Sequence, residues 1–448
     1  MPGGQCSLHH VPPSEVATYH LARAFQGKNF FEGWAFGEHD WTAGSSQYMN
    51  RSVAEAERMI EARDTHAIIR TGGKGDFLRR KSVRLTTQDS WMYALVALRF
   101  THVPYGCGVW PAFWMNSGSG HWPDGGELDI LEYVNFGDSR ISFHTGGSKH
   151  CKLEPAVIQD CDDFETGRVS YNCYTDYEAG LNGCGPAKAS SRRTGEEWAQ
   201  SPGVLAAEWN AAGIKVFYFS EPEIPADLLN DQPRPDAWNA NIIAYFPFAA
   251  SQQVLPGLCP APATLLEPQS IVLNIALCGS WASEDFLQTC SERIPEVAAA
   301  DGSGRCLTIP AGIDSHLAKK DCCMSFVYDQ YGDYGAEKML QTAFFNITWL
   351  KVYQTQFSLS EVLTPSPPPF PPGMPPPSLP PSPPPAFLSA PFPWSVLAVV
   401  ELLIIVVVFS VLLIPSLHKL FRTLLFADFL HDARRDPRLY SLMDRGTL

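Results

Sequence analysis

Positive charge is scarce in this chain. Its 33 lysines and arginines face 47 aspartates and glutamates, leaving a net charge of −14 over 448 residues. Nucleic acid and anionic lipid surfaces are therefore not expected as electrostatic partners. Metal-ribbon and thioredoxin spacings are also missing: no C-x-x-C pair occurs among the twelve cysteines, and none lies beyond Cys323. Gly72-Gly73-Lys74-Gly75 lacks the Walker spacing and a following Ser or Thr, so it reads as a turn rather than a phosphate loop. No long segment with a 3.6-residue apolar period dominates before Tyr353, which argues against a helical bundle. The first 28 residues contain no apolar run of the kind that opens a secretory signal, so an upstream segment or an atypical export route is expected.

What is present instead is a series of short apolar runs broken by Gly, Pro, Asn and Asp. Tyr93–Phe100, Glu127–Tyr133, Ile214–Phe219 and Ile271–Leu277 are examples. Strands at short spacing with turn chemistry between them predict an all-β sandwich. With 45% hydrophobic and 12% aromatic residues, the chain can fill a large core through about residue 355. The cluster Cys151, Cys161, Cys173 and Cys184 reads as disulfides stapling a long loop in an oxidising compartment, with connectivity left open. The sequons Asn50-Arg51-Ser52 and Asn346-Ile347-Thr348 agree with secretion.

The most specific segment is WPAFWMNSGSGHWPDGGELDILEYVN, Trp110 to Asn135. Alternate residues of a strand share a face, which puts Glu127 and Asp129 together. Glu132 would fall on the opposite face of a regular strand. One β-bulge between Asp129 and Glu132 restores the phase and brings all three acids to one side. The outer two then stand ~13 Å apart at Cα, and inward-leaning side chains bring the carboxyl groups to about 5–6 Å, the separation of a retaining glycosidase pair. A solvated acidic strand face is the plain alternative. Against it, Leu128, Ile130 and Leu131 pattern as core, and Trp110, Trp114 and Trp122 offer flat apolar platforms for pyranose rings.

This segment resembles the active-site strand of glycoside hydrolase family 16, in the bulged Glu-x-Asp-x-x-Glu form of laminarinase-type endo-1,3(4)-β-glucanases. The resemblance extends over roughly residues 19 to 355. It takes in Asn29-Phe30-Phe31-Glu32-Gly33-Trp34, Ser82-Val83-Arg84 and Gly106-Cys107-Gly108-Val109-Trp110. Farther on come Phe143-His144-Thr145, Glu208-Trp209-Asn210, Ile224-Pro225 and the run from Asn274 to Trp281. It implies a β-jelly roll with a concave glucan-binding cleft. It also implies Glu127 as nucleophile, Glu132 as acid/base and Asp129 as the carboxylate that raises the proton affinity of its neighbours. His144, Asn135 and Trp281 join the three tryptophans as candidate substrate-binding residues. No cofactor or catalytic metal is expected; a structural calcium stays open. The resemblance implies a β-glucan polysaccharide as partner. It fits a hydrolase, a transglycosylase that remodels cell wall, or a non-catalytic glucan receptor, and the intact acids disfavour the last.

The C-terminal part is different material. After a polar segment at 1–18 and a catalytic domain at 19–358, residues 359–393 form a proline-rich stalk. At ~3.1 Å per residue its densest stretch, 365–393, would reach about 90 Å as polyproline II. Residues 394–414 are almost unbroken aliphatics with Glu401 as the one charged residue, ended by Pro415, the length of one transmembrane helix. Basic residues resume only at Lys419, none lying between Val352 and Leu417, so the positive-inside rule predicts a cytosolic tail at 415–448. The catalytic domain would then be extracellular or lumenal, at the plasma membrane or an endomembrane. Leu417–Leu430 is expected to lie at the interface, and Tyr440-Ser441-Leu442-Met443 resembles a tyrosine-based motif for sorting adaptors.

Overall fold

The computed structural model describes residues 18–355 apart from 77–78, 119–121, 147–150, 154–169, 249–258, 260–264, 295–305, 310–318, 329–338 and 340. The stalk, the 394–414 span, the tail, Cys6 and Cys161 lie outside the described residues. Among the described residues no helix is long and apolar enough to cross a membrane.

Two antiparallel sheets carry the fold, in agreement with the expected β-sandwich. The first has six strands in the spatial order Arg140–His144, Glu127–Glu132, Val109–Ser117, Gln269–Leu277, Arg84–Thr87 and Trp34–Phe36. The second has eight. Its main path runs Ile242–Pro247, Gly213–Ser220, Gly203–Asn210, Leu95–His102, Phe344–Thr355, Ala67–Arg70 and Ile60–Ala62, and Tyr19–Gln26 also pairs with Phe344–Thr355. Phe143 of the first sheet meets Phe246 of the second edge to face at 5.6 Å, one of the contacts that joins both layers into a single core.

Strand alternation sorts the six-stranded sheet into two chemically distinct faces. Registers place Glu127 opposite His144 and Asn116, and Asp129 opposite Ser142 and Trp114. Trp114 pairs with Val272, Ala112 with Asn274, and Asn274 with Arg84. One face therefore carries acids, amides, an arginine and indoles. The other carries Phe143, Leu128, Met115, Phe113, Ile271, Leu273 and Leu85, all buried. The bulge predicted from the acid spacing is present: both ladders of the Glu127–Glu132 strand shift register after Asp129. Leu128, Ile130 and Leu131 are all buried beneath the acids, so the extra residue is anchored by apolar burial.

Five disulfides join the described cysteines: Cys107–Cys290, Cys151–Cys259, Cys173–Cys184, Cys278–Cys323 and Cys306–Cys322. The expected loop staple is therefore only partly local. Cys173 and Cys184 close an 11-residue separation, whereas Cys151 reaches across 108 residues to Cys259. Of the sequons, Asn50 caps the helix Arg51–Ala56 by accepting from Val53 N, while Asn346 sits within the strand Phe344–Thr355.

Ile130 is fully buried within the bulge. Ile130→Ala is expected to cost about 2–5 kcal/mol of stability, measured by chemical denaturation. A loss below about 1 kcal/mol would mean that the bulge is not held by its apolar underside.

Candidate active site

The acidic strand begins at Glu127, just after Gly126, whose φ of +79° suits a residue without Cβ. A Cβ there would also lie 2.0 Å from Leu266 Cδ2, so this tight entry to the strand is reserved for glycine. From it Glu127 and Asp129 project side by side, and the bulge adds Glu132.

Each acid has its own proton-bearing neighbour. Trp122 Nε1 donates to Glu127 Oε2 at 2.8 Å, and Trp110 Nε1 donates to Glu132 Oε1 at 2.9 Å. His144 Nε2 lies 3.1 Å from Asp129 Oδ2, while its Nδ1 lies 3.0 Å from Thr175 Oγ1. A neutral imidazole protonated on Nε2 satisfies both contacts, donating to the carboxylate and accepting from the hydroxyl. Trp114 Nε1 donates to Asn274 Oδ1 at 2.7 Å, with the Arg84 guanidinium 5.0 Å from the Trp114 ring centre.

Burial pushes Glu132 up to about 8, with the charge of Asp129 adding to the effect and the Trp110 N–H opposing it. Glu127 is raised well above the usual carboxylate range, again by burial first and Asp129 second; the Trp122 N–H and Arg84 pull it back toward the ionised form. Three acids in one recess thus cannot all hold charge, and protons stay among them at neutral pH. Among the described residues, Glu127, Asp129 and His144 have ligand atoms within 4.8 Å of one another and could hold a metal ion. The other such group, Cys151, Cys173 and Cys259, is tied up in disulfides.

The structure gathers the three acids, Trp110, Trp114, Trp122 and His144 on one face. Trp110 and Trp122, expected as stacking platforms, are seen to bond the outer acids through their N–H groups. Trp281 stands edge-on to Trp110 at 5.6 Å, but the Arg140 guanidinium lies 4.4 Å from the centre of its ring, leaving less of it open to a sugar. Asn135 is a correction. It is fully buried, accepts from Gly108 N at 2.7 Å and donates to Ala282 O at 2.9 Å, so it braces two chain segments and presents no surface to a substrate. Thr175 and Tyr177 form no motif in the sequence. They reach the site through the hairpin of Thr175–Asp176 and Leu181–Asn182, and the flanking Cys173 and Cys184 were the available signal. A separate cavity of about 550 Å³, lined by Lys188, Arg193, Tyr218 and Glu223 among others, contains none of the acids.

Comparison with known proteins agrees with this geometry. A probable glycosidase of Schizosaccharomyces pombe is 32% identical over 277 residues, which is 60% of this chain and 62% of that protein. A probable endo-1,3(4)-β-glucanase of Neosartorya fischeri is 29% identical over 287 residues, 61% of this chain and 40% of that one. The chain thus spans between two fifths and just over three fifths of these relatives. Among solved structures, an elongating GH family 16 β-1,3-glucosyltransferase superposes with a TM-score of 0.56 at 26% identity, over 75% of this chain and all of that one. Residues 34–303 match the XgeA-like catalytic GH16 domain. With its acids, bulge and sandwich all in keeping with that match, the chain belongs to glycoside hydrolase family 16.

Proposed function

We propose that this protein is a membrane-anchored endo-β-1,3(4)-glucanase that cleaves internal glucosidic bonds by a retaining double displacement. The observation that carries the reading is the bulged strand that brings Glu127, Asp129 and Glu132 to one face, with an indole N–H on each outer acid. Glu127 Oε attacks the anomeric carbon while Glu132 gives its proton to the departing glycosidic oxygen. The aglycone leaves, and Glu132, now a carboxylate, takes a proton from an incoming hydroxyl that displaces Glu127. Burial and Asp129 keep Glu132 protonated at neutral pH, as a general acid requires. Asp129, held by His144, remains the charge that both glutamates feel.

Transglycosylation is the second reading, supported by the likeness to the glucosyltransferase. Both readings share the glycosyl-enzyme and differ in the hydroxyl that resolves it. The anchor is supported by the aliphatic span at 394–414 and by basic residues confined to its C-terminal side. The disulfides suit a catalytic domain on the extracellular or lumenal side.

Glu127→Gln should lower turnover of laminarin by several orders of magnitude while leaving the fold and glucan binding intact. Chromatography of wild-type products then separates the two readings: shorter chains alone mean hydrolysis, and chains longer than a supplied oligosaccharide mean transfer. Near-normal activity of the variant would remove Glu127 from the nucleophile's role.

The pH profile tests the electrostatics. A general acid must be protonated, so a raised Glu132 moves the alkaline limb of kcat/KM up to about pH 8. A nucleophile must be ionised, so a raised Glu127 also lifts the acidic limb. Trp110→Phe removes the N–H that favours ionised Glu132 and should shift the alkaline limb to still higher pH. An alkaline limb near an ordinary carboxylate, about pH 4–5, would refute the assignment.

Topology is testable with external protease on intact expressing cells, whose cytosol the protease cannot reach, with tags at both ends. The tag after Leu448 should stay protected on the cytosolic side. If it is exposed with the catalytic domain, the anchor reading fails.

A further inference from the structure

Large aromatic rings are costly to leave in water, and two of those exposed here stand together at the acids. Trp122 is 42% exposed and Tyr177 is 64% exposed. Their rings stack at 5.4 Å between centroids and 23° between planes. Trp122 is already tied to the reacting groups through its N–H on Glu127. Tyr177 therefore continues, away from the strand, a wall that begins at the nucleophile.

The hairpin that presents Tyr177 is firmly held. Cys173–Cys184 closes its base, and four backbone bonds sew it to the Arg140–His144 strand and to Thr145 just after it: Phe143 N to Cys184 O, Cys184 N to Phe143 O, Thr145 N to Cys173 O and Thr175 N to Thr145 O. Its tip is a tight turn in which Gly180 N donates to Tyr177 O at 3.1 Å and Ala179 N to Asp176 Oδ1 at 3.1 Å. The ring's exposure is thus imposed by a braced turn. Partial burial pushes the phenol up to about 12 even though the side chain keeps most of its surface exposed, and the charges of Glu127, Glu132 and Asp129 add to that push. No hydrogen-bond partner for it occurs among the described residues. A neutral O–H beside exposed apolar ring surface, on a ring stacked against the indole that bonds Glu127, matches a sugar: hydroxyls to bond and an apolar pyranose face to cover.

We propose that Tyr177 is a substrate-contacting residue that sets glucan affinity, its ring extending the Trp122 platform and its hydroxyl bonding a sugar hydroxyl next to Glu127. This rests on the glucanase reading above. Because the contact is made in the Michaelis complex as well as in the transition state, its loss appears mainly in KM.

The test compares wild type with Tyr177→Ala, Tyr177→Phe and Tyr177→Trp on β-1,3-gluco-oligosaccharides of increasing length and on laminarin, with KM, kcat and the thermal midpoint recorded for each. Tyr177→Ala should raise KM about tenfold or more while kcat stays within about threefold. Tyr177→Phe, lacking only the hydroxyl, should raise KM about threefold, and Tyr177→Trp should remain closer to wild type than Tyr177→Ala. Unchanged KM in Tyr177→Ala overturns the assignment. So does a KM rise that follows a falling thermal midpoint equally in all three variants, because hairpin damage would then be the cause. Wild-type protein inert on every β-glucan overturns the glucanase reading itself, an outcome distinct from active wild type with an unaffected Tyr177→Ala variant.

Discussion

Repulsion among three carboxyl groups on one strand is the constraint around which this site is arranged. Left to itself, such a strand would turn its acids into water. Here an apolar underside of Leu128, Ile130 and Leu131 holds the strand in the core, and the bulge forces the third acid back to the same face as the first two. The repulsion is then relieved by protons and N–H donors rather than by solvent. Two indoles and one imidazole serve the three acids, one each. The tension that remains is expressed as raised proton affinity in both glutamates, which is the property that a general acid at neutral pH requires.

Bracing is concentrated at the two ends of this arrangement. At one end Cys107 and Cys278, joined to Cys290 and Cys323, flank the strands that carry Trp110 and lead to Trp281. Asn135 works at the same end, tolerating a φ of +55° while tying Gly108 to Ala282. At the other end Cys151–Cys259 and Cys173–Cys184 flank the His144 side. A glutamate pair works only at a narrow range of separations, so fixing both ends of the cleft limits how far the acids can drift.

Local features were legible in the sequence and distant partnerships were not. The acid spacing demanded a bulge, and strand alternation around Leu128 and Ile130 told core from cleft, because both depend on neighbours within one strand. Trp110 and Trp122 were recognisable as cleft residues, yet their donation to Glu132 and Glu127 depends on how neighbouring segments are brought together. Asn135 was misplaced for a related reason: lying just beyond the acid motif, it looked like part of the site, while its actual partner Ala282 is 147 residues away. Thr175 and Tyr177 sit in a cysteine-rich stretch with no catalytic pattern of its own, and only the pairing of 143–145 with 173–184 delivers them to the acids.

That pairing has an effect on what the protein can become. A sheet ending at Arg140–His144 would offer a row of unpaired N–H and C=O groups to any passing strand. The base of the hairpin occupies part of that row, while its tip is free of any duty to the sheet. Residues 177–179 can therefore vary without reopening the edge or disturbing the acidic strand, while Gly180, at a φ of +71°, keeps the turn. The hairpin separates the part that keeps the sheet closed from the part that stacks on Trp122, and that platform could be reshaped at three tip positions with the fold left as it is.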